Sequence, residues 1–207
     1  MKDWTGNKNS VYTTLGASNH TEDEREPDDF YATDPVAIDL LLKAEKPSPY
    51  IWECACGAGH LTKRLEAYSY CVYSSDIKNR DFPSAITQDF LKATELPYEE
   101  CDIITNPPYK YAKEFVLKAL ELLADGRKCY MFLKLTFLEG LDRYRDLFAK
   151  SPPRTVYVFP RRVLCAKNGD FEGLKGGSAV AYAWFVWEKG YRGRTTVDWL
   201  FEDQKKG

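Results

Sequence analysis

Asn106-Pro107-Pro108-Tyr109 is the stretch of this chain most suited to chemistry. An amine attached to an aromatic ring is a poor nucleophile, because its lone pair is delocalised into the ring. A site can localise that pair by accepting both N–H hydrogens. The Asn106 side-chain carbonyl suits one and the Pro107 backbone carbonyl the other, with proline's fixed φ holding the carbonyl rigid. Pro108 stiffens the turn further, and Tyr109 offers a flat face on which a planar acceptor could stack. In isolation the same four residues also read as a stiff turn, since Asn-Pro and Pro-Pro mark loops in many proteins.

A second motif is Glu53-Cys54-Ala55-Cys56-Gly57-Ala58-Gly59. Gly57 and Gly59 let a backbone turn sharply and approach a ligand closely. A helix starting there offers unpaired N–H groups and a positive dipole end to a carboxylate or phosphate. Asp76 follows Gly59 by 17 residues, where an acid can take both hydroxyls of a ribose, and Ile77 comes next. The alternative is a purely structural strand-to-helix turn. Thr62 stands where the third glycine of a dinucleotide site would fall, and no phosphate-loop lysine motif occurs. Asp89-Phe90 could grip an adenine through carboxylate and ring; taken alone, Asp89 reads as a cap for the next turn.

These motifs need a scaffold that delivers them to one place. Asp34 and Pro35 predict a helix start, with Ile38, Leu41 and Leu42 as its apolar stripe and Pro47 and Pro49 as its stop. Strands are expected at residues 50–52, 71–75, 85–87, 101–105, 129–135, 156–159 and 179–187. Leu61, Leu65 and Tyr68 mark a second helix; Ala112, Phe115, Val116, Ala119, Leu120 and Leu123 mark a third, with Gly126 to close it. A further helix is expected around residues 143–149, before Pro152-Pro153. Alternation of strand and helix implies an α/β fold with a parallel sheet. The last two strands lack a helix between them, which predicts an antiparallel hairpin at one edge. Residues 1–28 are polar and end in an acidic run, as a flexible arm would; the catalytic domain is expected over 29–207.

Composition excludes several classes. No apolar run is long enough for a membrane helix, and Met1-Lys2-Asp3-Trp4 does not begin a signal peptide, so a cytoplasmic location is expected. The six cysteines include only the close pair Cys54 and Cys56, and neither His20 nor His60 joins a ligand cluster, so no metal is expected. Net charge is only −2, yet residues 127–194 carry 14 Lys/Arg against 6 Asp/Glu, whereas residues 1–126 carry 13 against 22. A basic half could face phosphates, or surface charge simply varies along the chain.

From Phe30 to Trp187 the chain resembles the N6-adenine DNA methyltransferases. Phe30-Tyr31-Ala32-Thr33-Asp34-Pro35 is similar to that family's Phe-x-Thr-Pro element, stretched by Asp34. The resemblance implies a Rossmann-like, class I fold, with a seven-stranded, mostly parallel sheet and an antiparallel last strand. It implies S-adenosylmethionine as cofactor, bound by Phe30, Thr33, Pro35, Glu53, Cys54, Ala55, Gly57, Gly59, Asp76, Ile77, Asp89, Phe90 and Asn106. It implies a direct methyl transfer at Asn106, Pro107, Pro108 and Tyr109, with nucleic acid, foremost DNA, as partner. The family's separate target-recognition domain has no counterpart: Asp89 and Asn106 are only 17 residues apart. Arg161, Arg162, Lys167 and Lys175 on the 160–178 link could meet nucleic acid, or be ordinary solvated charges. The same tetrapeptide also serves enzymes acting on RNA adenines or on a glutamine amide. A catalytically silent module that binds nucleic acid or cofactor is the reading from another class.

Overall fold

A computed structural model of the chain describes residues 32–161, 163, 165–166 and 180–201. The expected arm at 1–28, Phe30, Arg162, Lys167, Lys175 and most of the 160–178 link lie outside the described residues. Among the described residues ten strands occur in chain order: β1 (Ala32–Thr33), β2 (Tyr50–Glu53), β3 (Cys71–Asp76), β4 (Ile86–Thr87), β5 (Cys101–Thr105), β6 (Lys128–Lys134), β7 (Thr155–Val158), β8 (Cys165–Ala166), β9 (Tyr182–Glu188) and β10 (Thr196–Trp199). The helices are α1 (Val36–Ala44), α2 (His60–Ala67), α3 (Ala112–Leu122) and the single turn α4 (Leu141–Arg143).

Eight strands form the main sheet in the order β10-β7-β9-β6-β5-β2-β3-β4, while β1 and β8 form a separate antiparallel ribbon. Neighbours within β4-β3-β2-β5-β6 run parallel, as do β10 and β7; β9 is antiparallel to both β6 and β7. From β2 the chain winds outward through β3 and β4, then crosses back to β5 and β6. The order therefore reverses beside β2, and ligand sites in such sheets lie at the carboxyl ends of the strands at that point.

Period-two alternation explains how one sheet supports two cores. Ile51 packs on one face with Ile38, Leu41, Leu61 and Leu65 from α1 and α2. Its neighbour Trp52 packs on the other with Phe115, Val116 and Ala119 from α3. Along β9, Trp184 and Val186 take the first face, Phe185 and Trp187 the second. The buried indoles keep a partner: Trp52 Nε1 donates to Ser75 Oγ (2.9 Å), Trp184 Nε1 to the Ala37 carbonyl (2.9 Å) and Trp187 Nε1 to the Ser151 carbonyl (3.1 Å). At the start of α1, Asp34 Oδ1 accepts from Val36 N (3.0 Å), the cap its position predicts.

One expectation needs correction: the sheet has eight strands, not seven. The expected antiparallel pair is present as β7 and β9, with β10 lying outside it. β9 is apolar along nearly its whole length, so it is most stable with both faces and both edges covered, and it inserts between β6 and β7. The eighth strand, β10, takes the edge instead; all four of its residues are exposed, and Asp198 breaks any apolar pattern. The helix expected at 143–149 is α4 followed by a π turn, Tyr144–Phe148.

Candidate active site

The glycine motif leaves β2 at Glu53 and is fastened to β3. Cys56 N donates to the Ser75 carbonyl (3.0 Å) and Gly57 N to Asp76 Oδ2 (2.9 Å). Gly57 (φ +54°) and Gly59 (φ +76°) hold left-handed backbone that an L side chain resists. At Gly59 space is closed as well: a Cβ would sit 2.7 Å from the Phe82 ring. α2 starts immediately afterwards, with no side-chain cap and no acidic residue in its first turn.

Glu53 is buried and accepts a hydrogen bond from the Thr62 hydroxyl, whose oxygen lies 2.7 Å from Ser74 Oγ. Burial raises the Glu53 carboxyl to about 8, and the Thr62 hydrogen bond opposes that rise. Thr62 and Ser74 thus join three consecutive elements through one carboxyl, a role that becomes visible only when α2 and β3 are in place. Cys54 and Cys56 are buried and their thiols pushed up, Cys56 to about 12, so neither is a thiolate nucleophile. Ala55 is half-buried between them.

At the end of β3, Asp76 Oδ2 receives Gly57 N, while Oδ1 receives Lys78 N (3.0 Å) and has Arg80 Nε at 3.7 Å. Ile77 beside it is 60 % exposed. Asp89 caps the short 3-10 turn Phe90–Lys92 through Leu91 N (3.1 Å), and Lys92 Nζ sits 3.2 Å from its other oxygen. Phe90 is 2 % exposed, edge-on to Trp52 (5.0 Å between centroids) and against Phe115 (4.9 Å). Its ring is buried among these core side chains.

Asn106 leaves the end of β5, half-buried, and its Nδ2 donates to Thr33 Oγ1 (2.9 Å). Thr33 is buried on β1 opposite Cys165 of β8. Pro35, two residues later, leads into α1. Pro107 is buried; the Pro108 carbonyl accepts from Tyr111 N (2.9 Å) and opens the 3-10 turn Tyr109–Tyr111. The Tyr109 ring lies 5.9 Å from Tyr182 and 4.8 Å from Lys134 Nζ. Lys134 and Tyr182 face each other across the β6–β9 pair. Their place beside Tyr109 depends on β9 lying next to β6, which the chain's local pattern does not indicate. Arg161, exposed after β7, lies over the Phe201 ring at 5.5 Å.

Glu53, Asp76, Asp89 and Asn106 all end or follow strands of one parallel run, so the carboxyl edge of the sheet collects them. With the Asn106 amide nitrogen committed to Thr33, the carbonyl branch is the one that would accept from a substrate amine. Two surface hollows of about 440 and 400 Å³ lie elsewhere, one lined by Lys46, Tyr68 and Tyr70, the other by Asp125, Lys189 and Gly190. Those residues border the starts of β3 and β6, at the opposite edge. Among the described residues no His, Cys, Asp and Glu side chains group as metal ligands, and no helix is long and apolar enough to cross a membrane.

Solved structures share this architecture at low sequence identity. A candidate class I S-adenosylmethionine-dependent methyltransferase from Listeria monocytogenes matches 92 % of the chain over 70 % of its own length, with a TM-score of 0.56 and 13 % identity. A predicted O-methyltransferase from Agrobacterium tumefaciens matches 80 % of the chain over 85 % of its own, with a TM-score of 0.56 and 14 % identity. The fold is that of the class I methyltransferases. The type IIG restriction endonuclease BpuSI contains it too: 84 % of the chain matches 27 % of that larger protein, with a TM-score of 0.57 and 15 % identity. No protein-family model and no curated protein matches the sequence. In this class I frame, the glycine turn and Asp76 lie on one side of the switch point and Asn106 on the other.

Proposed function

We propose that this protein transfers a methyl group from S-adenosylmethionine to the N6 amino group of adenine in DNA. The observation that carries the reading is Asn106, held by Thr33 at the end of β5, beside the strand that leads into the glycine turn. Residues suited to the cofactor are present. The uncapped start of α2 fits its carboxylate, Asp76 its ribose, and exposed Ile77 the flat face of its adenine. Bound there, S-adenosylmethionine supplies an electrophilic methyl on a sulfonium.

The chain's own residues prepare the amine. The Asn106 carbonyl and the Pro107 backbone carbonyl accept the two N–H hydrogens and leave the lone pair free to attack. Tyr109 stacks on the base, with Lys134 and Tyr182 fixing its position. Transfer is a single in-line displacement, in which the nitrogen–methyl bond forms as the sulfur–methyl bond breaks. The surplus proton leaves the nitrogen toward the accepting carbonyls and solvent. Glu53, buried and bonded to Thr62, is placed to shape the turn rather than to take that proton.

DNA as acceptor draws support from the basic excess over residues 127–194 and from the fold match with a restriction endonuclease. The test is incubation with methyl-labelled S-adenosylmethionine and DNA, RNA or protein acceptors, followed by mass spectrometry of the labelled unit. N6-methyladenine in DNA is expected. Label confined to RNA or to a protein glutamine would replace the acceptor, and no cofactor binding by calorimetry would leave a silent module.

A further inference from the structure

The connection from β6 to β7 carries three large apolar side chains into solvent: Leu138 (44 % exposed), Leu141 (60 %) and Tyr144 (59 %). It starts from the carboxyl edge of β6, one residue after Lys134, whose ammonium lies over Tyr109. Its far side is tied back as well: Lys113, in the first turn of α3, pairs with Asp146 at 2.9 Å. The two ties bracket the catalytic tetrapeptide, which lies between β5 and α3.

This connection is built, not loose. Arg143 folds back, donating through Nε to the Phe137 carbonyl (2.9 Å) and through its terminal nitrogen to the Glu139 carbonyl. Its guanidinium lies 5.2 Å from the centre of the Phe137 ring, which is itself buried against Phe148, Phe185 and Trp187. Gly140 (φ +118°) makes room, since a Cβ there would sit 2.9 Å from the guanidinium. Holding three apolar tips outward on a stapled turn costs stability unless something covers them. An exposed cation, Arg145, directly follows Tyr144 in the chain.

Resting on the proposed reading, we infer that Leu141 and Tyr144, with Leu138 on the same connection, form the wedge that enters duplex DNA and fills the gap left by the extruded adenine. A base held in a stack cannot reach a site at the sheet edge, so it must be flipped out, and the opened step then needs a substitute stacking partner. Apolar side chains inserted between base steps serve that purpose in proteins that deform DNA, and cations beside them meet the phosphates. Single-stranded DNA has no such gap, so the wedge acts on the duplex alone.

The test compares sheared genomic DNA, native or heat-denatured and rapidly chilled, as methyl acceptor for the wild type and for L141S/Y144S. Circular dichroism and calorimetric S-adenosylmethionine binding confirm that the variant is folded. The variant is expected to lose about tenfold or more in rate on native DNA, with its rate on denatured DNA within about twofold of wild type. Arg143→Ala, which leaves both tips but frees the staple, is expected to show a smaller loss with the same preference. If L141S/Y144S methylates native DNA as fast as wild type, or loses both rates equally, the wedge is overturned while the proposed function stands. If the wild type labels neither DNA form, both fall together.

Discussion

Asn106 Nδ2 donates to Thr33 Oγ1 across 2.9 Å, joining the end of β5 to a residue 73 positions earlier in the chain. The bond fixes the amide's orientation, with Nδ2 toward Thr33. Resemblance places Thr33 in the cofactor pocket; the structure gives it a contact with the proposed catalytic residue. Thr33→Val removes the hydroxyl and keeps the shape, so kcat for methyl transfer should fall about tenfold, the scale of one lost positioning bond. Cofactor affinity should change little, and Thr33→Ser should recover most of the rate. Steady-state kinetics on the three proteins check this, and equal kcat values would remove Thr33 from the positioning of Asn106.

Asn106→Ala removes the proposed acceptor itself. Transfer should drop by about a hundredfold or more, as when an aligned polar group is taken from a transition state. Calorimetric binding of S-adenosylmethionine should survive, because Asp76 and the glycine turn are untouched.

Gly59→Ala meets two obstacles, the positive φ and the Phe82 ring. Left-handed backbone alone costs about 1–2 kcal/mol. Phe82→Ala in the same molecule should recover the steric part and leave the backbone part. Urea denaturation of the single and double variants measures both. Strictly additive losses would show that Phe82 does not press on this position in solution.

Burial raises the Glu53 carboxyl from 4.5 to about 8 on folding, so the folded protein holds this proton more tightly than the unfolded chain. The stability it brings is complete below about pH 4.5 and is lost as pH rises through about 8. Each pH unit inside that window should remove about 1 kcal/mol. Asp102, also raised by burial, adds a loss of the same sign, so the informative quantity is a difference between proteins. Glu53→Gln should flatten the fall of Tm between about pH 5 and pH 9 relative to wild type; parallel curves would count against a buried, protonated Glu53.

At the opposite edge of the sheet, Glu45 receives Lys128 Nζ (2.7 Å) on one oxygen and the Tyr157 hydroxyl (2.9 Å) on the other. These groups tie the end of α1 to β6 and β7. Glu45→Ala strands a largely buried ammonium and should cost about 3 kcal/mol by denaturation. Methyl transfer at temperatures where the variant stays folded should be unaffected.

Local pattern by itself determined much of this protein. Strand–helix alternation, the apolar runs of β5 and β6, and the Gly57–Gly59 turn are short-range features, each readable within one element. Because successive parallel strands deliver their ends to a common edge, that alternation also placed Glu53, Asp76, Asp89 and Asn106 on one side of the sheet. What only the tertiary structure decided was which elements become neighbours. β9 sits inside the sheet because a strand apolar on both faces is best covered from both sides; β10 borders it because exposed residues are tolerated there. That arrangement brings Lys134 and Tyr182 to Tyr109, Thr62 to Glu53, and Thr33 to Asn106. It also commits Phe90 to the core beside Trp52, although its position after Asp89 reads equally well as a stacking surface. A side chain's periodicity states that it will be buried, whereas its partner is set by contacts between segments far apart in the chain.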